Sequence, residues 1–442
     1  MLAEAPGIRY HFFVPTTIPG AGVSMMSEEI RPVTAEEVEE LVRIAAMAYP
    51  GSNLLASEGR QRFTDRVKDT LENDPYASFH GCYREEKLVG IMRWDDFSMN
   101  VHGTKLLTGG IGLVAVDLLH KKEKIAKQMI LHFLKSYRDR GVSVVSLYPF
   151  RVDFYKKMGF GMSTKINQYQ VLPSTLPYTG KDKVVYLGVE DREEILACYQ
   201  RIVRKTHGMM VRRERGLKVF LEQPELIVVG CKEEGRISGY LAFQFQNGHQ
   251  KNRMFNHLIV KEFYYEDRKT LAQLLSFLHS QADQVQRIVL TIHDEDFHLL
   301  LQNPGNGTDN LLPSVYHESN VAGVGLMHRI IDVPLFFKQL SRYRFNKENG
   351  RVRLTIRDSF FPENDGSWLI HFTEGLAEVI DQGEADVEVR MDISEFSSLI
   401  MGVVSIGKLH TYGLVELDDE SALPMLERLF YVPAKPVCTT PF

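Results

Sequence analysis

The stretch GLVAVDLLHKKEKIAKQMILHFL, Gly112 to Leu134, joins an apolar strand to an amphipathic helix through a short basic turn. Ile125, Met129, Ile130, Phe133, Leu134 and Tyr137 recur at helical spacing, so one face of that helix is apolar. Gly141 stands in the C′ place that ends it. A helix that begins here aims its unpaired N–H groups and the positive end of its dipole at the turn, an arrangement suited to a pyrophosphate. Lys121, Lys122 and Lys124 add positive charge at the same place. A solvated, lysine-rich helix start is the alternative, yet lysines there are unfavourable without an anion to offset them.

The alternation of strand and helix organises residues 27–172. Thr34 with Glu37 three residues on reads as a capping box. ASFHGCYREEKLVGIMRWDDFSMNVHG reads as two strands joined by the turn REEK, and VSVVSLYPF as a buried strand. A similar order recurs over 173–328 with little identity, which predicts a divergent internal duplication. In that copy the strand LIVKEF is followed by YYEDRK in place of a basic turn, so the copy is expected to be degenerate. Over 329–442, RVRLTIRD, SWLIHFTEGLAEVI and ADVEVRMD read as strands, and ISEFSSLIMGVVS and ALPMLERLFY as helices. This predicts a separate α+β domain after two α/β units. Residues 1–26 lack periodicity as well as the basic start and apolar core of a secretory signal, and are expected to be a disordered extension.

A chain of 442 residues suits two or three domains. The net charge of −5 gives no basic excess of the kind nucleic-acid binding uses. The densest basic cluster, Arg201 to Gly216, lacks interleaved aromatics and reads as a solvated or interdomain segment. The four cysteines show no CxxC spacing, which fits a reducing cytoplasm. No apolar run reaches the ~18 residues of a membrane span. HDEDFH, His293 to His298, lacks clean metal-ligand spacing, and there is no G-x-S-x-G elbow.

VAVDLLHKKEKIA resembles the acetyl-CoA loop of GNAT acetyltransferases, in which a V-x-V strand precedes R/Q-x-x-G-x-G/A and a helix. VVSLYPFRVDFYKKMGFGM resembles the next two GNAT elements, a strand and then a helix ending FY-x-x-x-GF. Two such domains followed by a sterol-carrier-like domain resemble the Eis family of N-acetyltransferases, which modify aminoglycosides and other amines. The resemblance runs over roughly 27–442. It implies tandem GNAT folds, acetyl-CoA as co-substrate with no metal, and a primary amine acceptor of aminoglycoside, polyamine or lysine-like type. It also implies a cytoplasmic homo-hexamer that engages neither nucleic acid nor membrane. Matched residue by residue, Val114, Ala115 and Val116 pair with the pantetheine arm. Lys121, Lys122, Glu123, Lys124, Ile125, Ala126 and Lys127 form the pyrophosphate loop, and Phe150 and Arg151 the next strand edge. Tyr155 falls on the general acid, and the carboxylate of Phe442 on the proton acceptor. Lys124 stands where the family has a glycine, and lysines stand where arginines are usual, which removes bidentate phosphate contacts. The alternative is a non-catalytic lipid or small-ligand binding protein that keeps the acetyltransferase fold as a scaffold.

Overall fold

The computed structural model describes residues 28–442 apart from Asp309, so the extension expected at 1–26 lies outside the described residues. The chain opens with β1 (Glu28–Pro32), α1 (Val38–Ala48), α2 (Ser57–Asn73), β2 (Ala77–Arg84), β3 (Lys87–Val101) and β4 (Thr104–Val116). It continues through α3 (Ile125–Asp139), β5 (Val144–Leu147), α4 (Val152–Lys156) and β6 (Gly161–Met162). Local chemistry sets these ends. Glu37 accepts the Thr34 N–H at 2.8 Å and closes the capping box. The apolar stripe of α3 is wholly buried, and Gly141 takes φ +76° just past its end.

The second unit holds β7 (Ile166–Val171), β8 (Val184–Tyr186), α5 (Arg192–Lys205), α6 (Glu214–Leu221), β9 (Ile227–Glu233) and β10 (Arg236–Asn247). After these come β11 (Asn256–Tyr265), α7 (Arg268–His279), β12 (Val285–Ile292), the hairpin β13 (Leu311–Leu312) and β14 (Tyr316–His317), and β15 (Val321–Gly323). The next strand, β16 (Met327–Ile330), does not stay in this unit. It lies between β5 and β6 in a first sheet ordered β1-β2-β3-β4-β5-β16-β6. In turn β7 lies between β15 and β12 in a second sheet ordered β15-β7-β12-β11-β10-β9-β8. The chain therefore leaves the first sheet at Met162 and re-enters it at Met327, so the division expected at 172 falls after β7 of the second sheet and that expected at 328 falls within β16 of the first. Periodicity identifies a strand but not the sheet that receives it.

The duplication is written in the registers. The parallel pairing of β4 with β5 runs only from Thr108↔Val144 to Ile111↔Leu147. That of β11 with β12 runs from Asn256↔Val285 to Ile259↔Val289. Just beyond the last pair each copy bulges. Gly112 faces Arg93 while Ala115 faces Ile91, and Val260 faces Phe243 while Glu262 faces Ala242.

The third unit comprises α8 (Val333–Gln339), β17 (Gly350–Arg357), β18 (Gly366–Thr373), β19 (Leu376–Ile380), β20 (Val387–Asp392), α9 (Ile393–Ile400), α10 (Ile406–Thr411), β21 (Val415–Leu417) and α11 (Leu423–Leu429). Its sheet order is β19-β18-β17-β20-β21. SWLIHFTEGLAEVI divides into a hairpin because Glu374 and Gly375 both take positive φ, as a two-residue primed turn needs.

Candidate active site

Past Ile111, β4 and β5 separate, and the edge of Gly112 to Val116 is left open on that side. Leu113 takes φ +50°, a left-handed conformation that a branched side chain adopts only where its surroundings impose it. The Tyr49 hydroxyl donates to the Val114 carbonyl at 2.9 Å, which holds the bulge from the α1 side. The helix α3 starts without a side-chain cap, so its first N–H groups stay available to a ligand. Lys122 and Lys124, at φ +70° and +66°, wrap the turn around that end.

A cavity of about 710 Å³ fills this crevice. Its wall includes Val114, Ala115, Val116, Lys121, Lys122, Lys124, Ile125, Ala126, Lys127, Phe150, Arg151 and Tyr155, so the expected cofactor residues gather around one space with one exception. Glu123 does not line it. Its carboxylate accepts from Arg84 of β2 and lies beside His120, and the Arg84 bond holds it below the usual carboxylate range. A negative charge in an anion loop is thereby neutralised and turned aside. Sequence reasoning missed Tyr49, His120, Phe154 and Phe360 in this wall. Phe360, whose ring lies 5.6 Å from the Lys127 ammonium, arrives from the third unit, and no local pattern announces it.

A second cavity, about 490 Å³, adjoins the first and shares Tyr49, Val114, Phe150 and Tyr155 with it. Tyr155 is buried on this shared wall, and desolvation raises its phenol well above the usual range. Phe442 closes the far side. Its ring packs on Phe97 (4.9 Å) and Tyr148 (5.2 Å). Its carboxyl carbon lies 3.3 Å from where a Cβ on Gly112 would stand, so the bare glycine leaves room for that group beside the β4 bulge. The segment leading to it is tied at each step. The Val437 N–H donates to the His207 carbonyl (2.8 Å), and the Cys438 carbonyl accepts from His293 Nε2 (2.9 Å). The Thr439 hydroxyl meets that of Tyr264, and the Thr440 carbonyl accepts from Tyr148 (3.2 Å).

The stretch FYKKMGFGM owes its glycine to a partner far along the chain. Gly159 takes φ +79°, and a Cβ there would stand 1.5 Å from Nη1 of Arg329 in β16. Arg329 is fully buried and pairs with Asp358 at 2.7 Å. This ion pair therefore braces the turn directly behind Tyr155, and its members were not legible as site residues.

The equivalent crevice of the second copy carries opposite chemistry. Asp267 caps α7, accepting the Thr270 N–H at 2.9 Å, so a carboxylate of the chain already occupies the helix end. In the bulge stands Glu262, buried and bonded to Arg212 (2.9 Å) and Tyr240 (2.8 Å). The basic cluster after Arg201 is consumed by pairs such as this one and Arg215–Asp69, which reaches back to α2. His293 of HDEDFH turns its ring nitrogens to the carbonyls of Lys165 and Cys438. Among the described residues no cluster of His, Cys, Asp or Glu is arranged to hold a metal, and no helix is long and apolar enough to cross a membrane.

Residues 29–163 and 208–322 each match an acetyltransferase (GNAT) domain family, and residues 333–439 match the sterol carrier protein domain. No curated protein matches the chain in sequence. Among solved structures, a GCN5-related N-acetyltransferase from Anabaena variabilis superposes with TM-score 0.77 at 16% identity, over 94% of this chain and 100% of its own. A probable N-acyltransferase from Enterococcus faecalis gives 0.75 at 19%, and Eis1 from Mycobacterium abscessus 0.72 at 16%, each over 94% of this chain and 100% of its own. Domains and fold together define the class as a GNAT N-acetyltransferase with tandem acetyltransferase folds. The two acetyltransferase domains followed by a sterol carrier protein domain are consistent with the Eis-like family.

Proposed function

We propose that the chain transfers the acetyl group of acetyl-CoA to a primary amine at the junction of the two cavities. The observation that carries this is the placing of Tyr155 and the Phe442 carboxyl group around one space that opens onto the basic crevice. The open edge of β4 offers backbone groups to a pantetheine arm. The uncapped end of α3, with Lys121, Lys122, Lys124 and Lys127, suits a diphosphate. Attack by a neutral amine forms the C–N bond and breaks the thioester C–S bond. The surplus amine proton passes to the Phe442 carboxylate, and Tyr155 protonates the departing sulfur. A phenol raised by burial remains protonated at neutral pH, as a donor must.

The acceptor cavity favours some amines over others. Leu54, Phe63, Ile111 and Tyr148 give it an apolar wall, beside which Ser52 and Arg66 stand. Among the described residues no Asp or Glu side chain lines it. This supports an amine carried on an apolar or aromatic body in preference to a polycationic aminoglycoside or polyamine.

Two variants test the roles. Tyr155→Phe, and a protein whose Phe442 carboxyl is converted to an amide, should each lose roughly 10²–10⁴-fold in kcat. Calorimetry should find their acetyl-CoA affinity unchanged. Full activity in either returns that group to a packing role. An amine panel, read as kcat/KM, should rank arylalkyl monoamines above aminoglycosides.

A further inference from the structure

We infer that the second acetyltransferase domain has exchanged its cofactor for the chain's own C-terminal segment, and that Tyr264 and His293 are positioning residues for Phe442. The inference rests on the reading of the Phe442 carboxylate as proton acceptor. The two copies part their strands at the same place, after Ile111 in the first and Ile259 in the second, and both bulge there. Tyr264 stands as far beyond Ile259 as Val116 stands beyond Ile111, and Val116 lines the cofactor crevice of the first copy. His293 stands as far beyond Val289, the last residue of β12 paired with β11, as Arg151 stands beyond Leu147, the last of β5 paired with β4. In the second copy these two positions hold Thr439 and Cys438 in place of a ligand.

The rest of that crevice agrees. A polyanion would meet the buried carboxylate of Glu262 and the capping carboxylate of Asp267, whereas a neutral peptide segment meets donors fitted to its carbonyl and hydroxyl groups. A free chain end resists ordering at about 1–2 kcal/mol per residue. Anchors within the last five residues of a chain that reaches Phe442 offset that cost where it matters for alignment. The degenerate copy thus delivers one reacting group to the competent one.

Three variants, Tyr264→Phe, His293→Ala and His293→Gln, put this to the test in the full chain. Tyr264→Phe and His293→Ala should lower kcat by about 10²-fold, the loss expected of a misplaced reacting group. KM and calorimetric Kd for acetyl-CoA should hold, as should the melting temperature. Carboxypeptidase should release Phe442 faster from both variants than from the parent. His293→Gln, which can still donate to the Cys438 carbonyl, should recover part of both readouts. An unchanged kcat in Tyr264→Phe and His293→Ala overturns the inference, whatever the rate of release. Should His293→Ala lose stability and cofactor binding together, Tyr264→Phe, which deletes a single oxygen, decides. The amide-terminated protein separates the two readings. If it is inactive while Tyr264→Phe and His293→Ala are fully active, the seat is wrong and the acceptor role stands. If it is fully active while those variants lose kcat and shed Phe442 faster, the acceptor role is wrong and the seat stands.

Discussion

Position 159 is occupied by the absence of a side chain. A methyl group there would collide with a guanidinium that cannot retreat, because Arg329 is buried on an ion pair with Asp358, and the left-handed φ adds its own strain. Gly159→Ala should therefore cost more than about 3 kcal/mol and lower the melting temperature sharply, with kcat falling in the protein that still folds. Position 124 asks the opposite. Lys124 pays for a left-handed conformation that glycine adopts freely, about 1–2 kcal/mol by the usual measure. Lys124→Gly should raise the melting temperature of the free protein. It should also weaken acetyl-CoA binding by up to about 5-fold as one cation leaves the loop, the size of an exposed ionic contact. Calorimetry beside a melting curve separates these effects. At this scale the motif made it legible that Tyr155 and the loop lysines would share one cavity, because their placement travels with a local pattern. Glu123, Arg329 and Phe360 were misread or invisible, since each is defined by a partner distant in sequence.

Two helices that begin after equivalent strands meet opposite fates. α3 starts bare among lysines, and α7 starts under the carboxylate of Asp267. One acetyl-CoA should consequently bind per chain, not two, and calorimetric stoichiometry checks this directly. A value near two would mean that Asp267 and Glu262 yield to a ligand. The lack of a basic turn was legible in the residues YYEDRK, whereas the capping role of Asp267 came from the structure. What the sequence left open was pairing. Neither β7 nor β16 was legible as a strand, being short and weakly patterned, and their neighbours are chosen by tertiary packing over long separations, where periodicity carries no information.

Three units meet at a stack of rings. His102, in the turn between β3 and β4, lies 4.0 Å from His207 and 4.6 Å from Tyr343, each from a different unit. The His102 N–H donates to Nδ1 of His207 (3.1 Å), while the Nε2 atoms of both rings face the carbonyls of Ile400 and Met401. That pattern requires a neutral His207. Burial lowers both, His102 to about 3, and lowers His328 likewise to about 3. Their unfolded value is about 6.5, so as pH falls below it the unfolded chain takes up protons that the folded one refuses. Stability present above that pH should fall by on the order of 2 kcal/mol for each of His102 and His328 between pH 6.5 and 5. A melting-temperature profile should show the decline, and His102→Gln should flatten its slope. The tail shares this junction through the His207 carbonyl, so acid should loosen the seat of Phe442 as well.

The return of β16 to the first sheet reaches beyond folding. A cassette of the first unit cut after β6 would lack β16, an interior strand of its sheet, and expose backbone on both flanks of the gap. Such a fragment is poor material for recombination. The first copy is consequently inherited with the second nested between β6 and β16, and changes in acceptor preference are left to side chains and loops around the cavities and not to the shuffling of the first domain.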